Sequence, residues 1–158
     1  MELLKGRDIK IVVDATKELL VKSLPYGPFL IKPNNYELGE IFGVRLTTRS
    51  SVIPYAKKLQ NMGARNVLVS MAGEGAVLVS DDGQVIDAPA PEGKLINGVG
   101  AGDSMVAGFM AGYLARHDYN HAFCMGVASG SASAFSENLA TKEEIEKVYK
   151  TIVLEEKV

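Results

Sequence analysis

A single cysteine, Cys124, stands among 158 residues. No disulfide can close within the chain, and no cysteine-rich zinc site can be built from it. Cys124 lies between Phe123 and Met125 in an apolar helical run, the setting of a buried structural thiol rather than a nucleophile. Tryptophan is absent, and the two histidines, His117 and His121, flank a polar inter-helix turn and read as surface residues. No hydrophobic run is long enough for a membrane span; the apolar stretch 105–115 falls well short of about 20 residues. The stretch 1–8 has no signal-peptide apolar core, so the expected location is cytoplasmic. Neither sign of charge prevails: 17 Lys and Arg against 19 Asp and Glu give a net charge of −2. The charges are scattered, without the basic cluster that a nucleic-acid partner requires. Affinity for phosphate would have to come from local geometry.

What is present suits one compact soluble domain over 1–158. Hydrophobic residues make up 47% and charged residues 23%, enough apolar material for a real core. The feature that stands out is Gly98-Val99-Gly100-Ala101-Gly102-Asp103-Ser104, a glycine-rich turn opening an amphipathic helix. Glycines let the backbone come close to a ligand, and a helix start offers unpaired N–H groups and a positive dipole end. Together these favour phosphate. A carboxylate beside a phosphate cradle should repel it, unless Asp103 takes a proton from an attacking hydroxyl. The alternative is a helix cap, with Asp103 serving the helix and the glycines forming a loop. The spacing fits neither familiar nucleotide loop. No lysine follows the glycines, and Asp103 stands where the dinucleotide fingerprint needs glycine.

Strands are expected at 9–14, 29–32 and 66–71, with a hairpin over 76–80 and 84–88 turning at Asp81-Asp82-Gly83. Helices are expected at 16–24, stopped by Pro25, and at 35–42, closed by Gly43. Another runs from the polar start 47–50 to Gly63, with Pro54 in its first turn or so. Three more are expected at 101–116, 120–135 and 142–153, the last opened by a Thr141–Glu144 capping box. Alternating strands and helices define a three-layer α/β domain with a mainly parallel sheet flanked by helices and an antiparallel pair at one edge. Asp14, Lys32, Ser70 and the glycine turn all follow strands, where ligands of such sheets collect.

Four segments in order resemble the ribokinase-like (PfkB) carbohydrate kinases. Val99–Phe109 is similar to that family's C-terminal signature, and Lys32-Pro33-Asn34-Asn35-Tyr36-Glu37-Leu38 to its Asn-x-x-Glu metal motif. Val12–Thr16 resembles its Asp-Ala/Ser-Ser strand end, and Gly130–Ser136 the helix beside its adenine pocket. The resemblance covers nearly the whole chain, yet it matches only the family's C-terminal, nucleotide-binding portion. The N-terminal part of the fold and a small β-sheet lid are expected to be missing. It implies ATP and Mg²⁺ as cofactors and a small-molecule sugar phosphate as the partner, with no nucleic acid and no membrane. The implied reaction is transfer to the free primary hydroxyl of fructose 1-phosphate, with tagatose 6-phosphate as the alternative acceptor. A homodimer is the assembly it allows, and a binding module without turnover is what the missing half suggests for the isolated chain.

On that resemblance Asp103 is the general base, and the N–H groups of Gly100, Ala101 and Gly102 hold the transferring phosphoryl group. Glu37 with Asn34 is the metal pair, set against a plain capping box at the same spacing. Lys32, Asn34, Ser70, Gly75, Gly100, Gly102 and Ser131 are the implied nucleotide contacts. Lys32 otherwise reads as a solvated strand-end lysine. Ser131 lies with Ala128, Gly130 and Ser133 on a helix whose small residues either leave room for adenine, with Val85, Ile96 and Val99, or allow tight packing. Ala72 and Gly98 depart from the family, which usually has glycine at the first position and serine or threonine at the second.

Overall fold

The computed structural model describes residues 9–156, so the stretch 1–8 read for a leader lies outside the described residues. The chain separates into two compact units, Met1–Val85 and Ile86–Val158.

The first unit is built on strands β1 (Val12–Val13), β2 (Leu30–Ile31), β3 (Asn66–Ser70) and β4 (Ala76–Val79), in that spatial order. β1, β2 and β3 run parallel, whereas β4 pairs antiparallel with β3, Leu68 opposite Leu78. Helices α1 (Lys17–Ser23), α2 (Asn35–Phe42) and α3 (Arg49–Asn61) supply the crossovers. Ile31, Val67, Val69, Val77 and Val79 share one face and pack with Leu20, Leu38, Val52, Ala56 and Leu59 of the helices. Leu30, Leu68 and Leu78 alternate to the opposite face and are equally buried. Both faces being apolar and covered is the mark of an α/β sheet.

Several boundaries depart from those the sequence predicts. β1 spans two residues rather than 9–14, because pairing with β2 runs only from Val12 to Val13. Pro54 lies in the second turn of α3, not the first. It forfeits one helical hydrogen bond, to the Ser50 carbonyl, and both residues face water there. The turn at 81–83 forms as expected: Ser80 N–H donates to Gln84 C=O at 3.0 Å, and Gly83 adopts φ +88°.

β5 (Val85–Ala88) begins with the last residue of the first unit and continues in the second, which also holds helices α4 (Ala101–Arg116), α5 (Tyr119–Ala134) and α6 (Lys142–Tyr149), and β6 (Glu155–Glu156). The strand β6, unforeseen from sequence, runs antiparallel to β5. α6 ends four residues earlier than predicted. Thr151 turns its hydroxyl onto the Val148 carbonyl at 2.7 Å and its N–H onto the same oxygen, which closes the helix. α4 and α5 lie almost in backbone contact. A Cβ on Gly108 would meet Ser129 Oγ and the Met125 carbonyl, and one on Gly130 would lie 3.0 Å from the Ala101 carbonyl.

Candidate active site

In the first unit the parallel strands bring three predicted residues to one rim. The register that sets Val13 beside Ile31 makes Asp14 and Lys32 the next neighbours. They form an ion pair, Nζ to Oδ2, at 3.3 Å. Lys32 is only 7% exposed, so the solvated-lysine reading fails: its charge is held inside the rim and balanced by Asp14. One strand further, Asn34 forms a parallel bridge with Ser70, and Ser70 N–H donates to the Pro33 carbonyl at 3.2 Å.

Asn34 and Glu37 make the reciprocal capping box of α2. Asn34 Oδ1 accepts from Glu37 N–H, and Glu37 Oε2 accepts from Asn34 N–H, both at 2.8 Å. The cap and a metal role are compatible, because the box occupies Oε2 and Glu37 stays partly exposed. The donors are oxygens only, and among the described residues no group of three or more His, Cys, Asp or Glu forms a metal cage. That set fits a hydrated Mg²⁺ shared between one carboxylate and nucleotide phosphates.

The turn after β3 is a single 3₁₀ turn, 72–74, between Met71 and Gly75. Gly75 takes φ +100°, ψ −138°, a conformation that needs glycine. Ala72 takes φ +47°, in the left-handed region, at the very position where the family resemblance calls for glycine.

In the second unit the glycine turn is seated as the sequence suggests. Gly100 is the N-cap of α4 at φ +78°, and having no side chain it caps nothing. Asp103 is the third residue of the helix and is exposed: it is not the N-cap, but it does stand as an acid in the first turn, the other form of the capping alternative. Asn97 braces the approach: its Oδ1 accepts from Val99 N–H at 3.0 Å, and its Nδ2 donates to the Glu137 carbonyl at 3.1 Å. Next to Asp103, Ser104 Oγ accepts from Ser133 Oγ at 3.0 Å, and Ser133 Oγ also accepts from Ala140 N–H at 3.1 Å. Asn97, Ser104 and Ser133 thus tie the turn to the end of α5, a bracing that no local motif announces.

The small residues of α5 are mostly packing. Ala128, Gly130 and Ser133 are buried, while Ser131 stays half-exposed, and Ile96 and Val99 are open to solvent. Cys124 is a buried thiol as expected, pushed up to about 11 by burial and then by Asp118. His121 is less of a surface residue than predicted. Its Nδ1 lies 2.9 Å from Tyr149 Oη, and burial and then Arg116 lower its pKa.

The chain belongs to the pfkB family of carbohydrate kinases, whose model matches residues 3–146. Its fold class is therefore ribokinase-like α/β with a mainly parallel sheet. It is 48% identical to the 1-phosphofructokinase of Bacillus subtilis over 147 residues, covering 93% of this chain and 48% of that protein. It is 31% identical to the D-tagatose-1-phosphate kinase of Bacillus licheniformis, covering 92% of this chain and 48% of that one. The crystal structure of phosphofructokinase-2 from Escherichia coli in complex with substrates and products superposes with a TM-score of 0.84 at 32% identity, covering 94% and 49% of the two chains. The chain spans about half the length of the curated relatives it matches. No helix among the described residues is long and apolar enough to cross a membrane.

Proposed function

We propose that this chain forms the nucleotide-binding part of an ATP-dependent kinase acting on a ketohexose 1-phosphate, with fructose 1-phosphate the leading acceptor and fructose 1,6-bisphosphate the product. The observation that carries the reading is the glycine turn. The N-terminus at Gly100 has no side-chain cap; Ala101 N–H, expected to face the phosphoryl group, turns back to the Gly98 carbonyl at 3.3 Å, while Gly102 N–H is left for an anion with the exposed Asp103 carboxylate one residue beyond it. In this reading Asp103 accepts the proton of the sugar's free primary hydroxyl as that oxygen attacks the γ-phosphorus. The bond from the γ-phosphorus to the β-phosphate oxygen breaks, and ADP leaves with the electron pair. The N–H groups of Gly100 and Gly102 hold the phosphoryl oxygens as charge develops on them. Mg²⁺, when bound, neutralises phosphate charge, and Glu37 with Asn34 would hold it through water. Ser70, Gly75, Lys32 and Ser131 are the further nucleotide contacts proposed.

The similarity to a D-tagatose-1-phosphate kinase supports a second acceptor of the same class. Tagatose and fructose differ only at C4, and their 1-phosphates share the free 6-hydroxyl. Tagatose 6-phosphate would present the other end of the sugar, and the 1-phosphate relatives favour the 6-hydroxyl as the attacking group. The test has two arms. Calorimetry on the 158-residue chain should detect weak binding of magnesium–ATP. A coupled ADP-release assay should find sugar-dependent turnover only in a chain of full family length, since holding reactants together contributes roughly 7–11 kcal/mol. Robust phosphorylation of fructose 1-phosphate by these residues alone would refute the division of labour; no nucleotide binding at all would refute the reading itself.

A further inference from the structure

We propose that Arg49 is a positioning residue for the nucleotide-contacting turn 70–75, clamping it so that Ala72 stays in a left-handed conformation its side chain disfavours. The proposal rests on the kinase reading above, which gives Ser70 and Gly75 their phosphate role. The turn closes on itself through three backbone bonds: Glu74 N–H to Met71 C=O at 3.0 Å, Gly75 N–H to Ala72 C=O at 3.1 Å, and Met71 N–H to Gly75 C=O at 2.9 Å. Those bonds engage the carbonyls of residues 71, 72 and 75 and leave those of Gly73 and Glu74 outside the set. Arg49 takes up the second, donating from Nη1 to the Glu74 carbonyl at 2.9 Å.

The clamp has a firm base. Arg49 is the first residue of α3, whose Thr48–Ser51 capping box fixes the helix start. The same helix buries Val52, Ala56 and Leu59 completely in the core of the unit. The turn has a built-in tendency to relax, because an L-residue at φ +47° is disfavoured where glycine is not. A charge-assisted bond from a rigid helix to the Glu74 carbonyl opposes that relaxation. Lys32 cannot take over this role, since its ammonium is buried and paired with Asp14. Arg49 therefore acts on the peptide group that joins Glu74 to Gly75, through the backbone rather than on the nucleotide.

The experiment uses the 158-residue chain as R49A, R49K, A72G and R49A/A72G. Magnesium–ATP affinity is read by calorimetry, and backbone amide exchange at Glu74 and Gly75 is read without nucleotide. R49A should weaken binding by about three- to tenfold, the effect of one exposed charge-assisted hydrogen bond, and should speed exchange at both amides. A72G should bind at least as well as the parent, and adding it to R49A should restore most of the loss, because glycine needs no clamp. Rescue by R49K but not by A72G would overturn the clamp and make Arg49 a direct phosphate contact. Unchanged affinity and exchange in R49A would also overturn it. If the parent chain binds no magnesium–ATP, the kinase reading and the turn's phosphate role fall, and the exchange rates alone decide whether Arg49 holds the turn.

Discussion

Replacing Ala72 by glycine should stabilise this protein, against the usual direction of that substitution. Ala72 sits at φ +47°, where Cβ crowds the following carbonyl at a cost of about 1–2 kcal/mol. Its side chain is exposed, so removing the methyl loses no packing. Against the relief stands the greater freedom of glycine in the unfolded chain, roughly 0.4–1 kcal/mol. The balance is a gain of about 0.5–1 kcal/mol, or a rise in melting temperature of roughly 1–4 °C for a chain of this size. The control is the same substitution at Ala107, also exposed but in the middle of α4 at ordinary helical angles. There glycine should cost about 1 kcal/mol. Urea midpoints and thermal melts of the two variants, measured side by side, should move in opposite directions. If A72G lowers the midpoint, or shifts it as A107G does, the left-handed strain at Ala72 is not real and the argument for a clamped turn loses its basis.

In a chain of full family length, Asp103→Asn should cut turnover by roughly 10²–10⁴-fold while ATP affinity holds, because the amide fills the same exposed space but cannot accept a proton; wild-type turnover would remove Asp103 from the mechanism. Glu37→Gln should leave stability nearly unchanged, since glutamine can still complete the capping box with Asn34, yet raise the magnesium concentration needed for nucleotide binding. An identical magnesium titration would leave Glu37 with capping as its sole role. Gly108→Ala should cost about 1–3 kcal/mol by overpacking, since its Cβ would collide with Ser129 Oγ and the Met125 carbonyl; Gly98→Ala, with nothing within 4 Å, should be tolerated. Urea midpoints distinguish the two. Stability should also fall as pH drops below about 6.5, because burial and Arg116 hold His121 below its ordinary pKa and the unfolded chain then binds the extra proton. His121→Gln should flatten that part of the profile, and an unaltered slope between about pH 7 and 5.5 would assign the dependence to other groups.

Short-range chemistry was what the sequence made readable. The capping boxes at Asn34 and Thr141, the polar start of α3 at 47–50, the glycine ends of α2 and of the 81–83 turn, and the glycine-rich opening of α4 are each set by residues within a few positions of one another. The same locality explains the shortfalls. Residues 9–14 have strand composition throughout, but only Val12 and Val13 stand in register with β2, and pairing rather than propensity sets the length. The end of α6 is decided by Thr151 returning to the Val148 carbonyl, a competition that apolar spacing does not record. Lys32 read equally well as solvated or functional until the register of β1 against β2 placed Asp14 beside it. Arg49 and Glu74 lie 25 positions apart, and no periodicity links them.

The composition of α4 and α5 has a consequence for the candidate base. Gly126 and Gly130 on one helix let the other come so close that the Met105 and Ala101 carbonyls lie 3.0 Å from where their Cβ atoms would be. Ala101 is the first residue of α4 and precedes Asp103 by two, so the seam that packs the helices also fixes where the N–H groups and the carboxylate stand. Ser133, one turn beyond Gly130, adds a hydroxyl bond to Ser104 on the other side of the base. The small residues of α5 thus need not touch a nucleotide to matter for phosphoryl transfer. A methyl at Gly130 would push the first turn of α4 outward before it disturbed the core, because Ala101 is only half-buried while Met105 below it is packed. Substitutions along this seam should therefore separate into two kinds. Those near Gly130 should impair phosphate binding more than stability, and those near Gly108 and Gly112 should do the reverse.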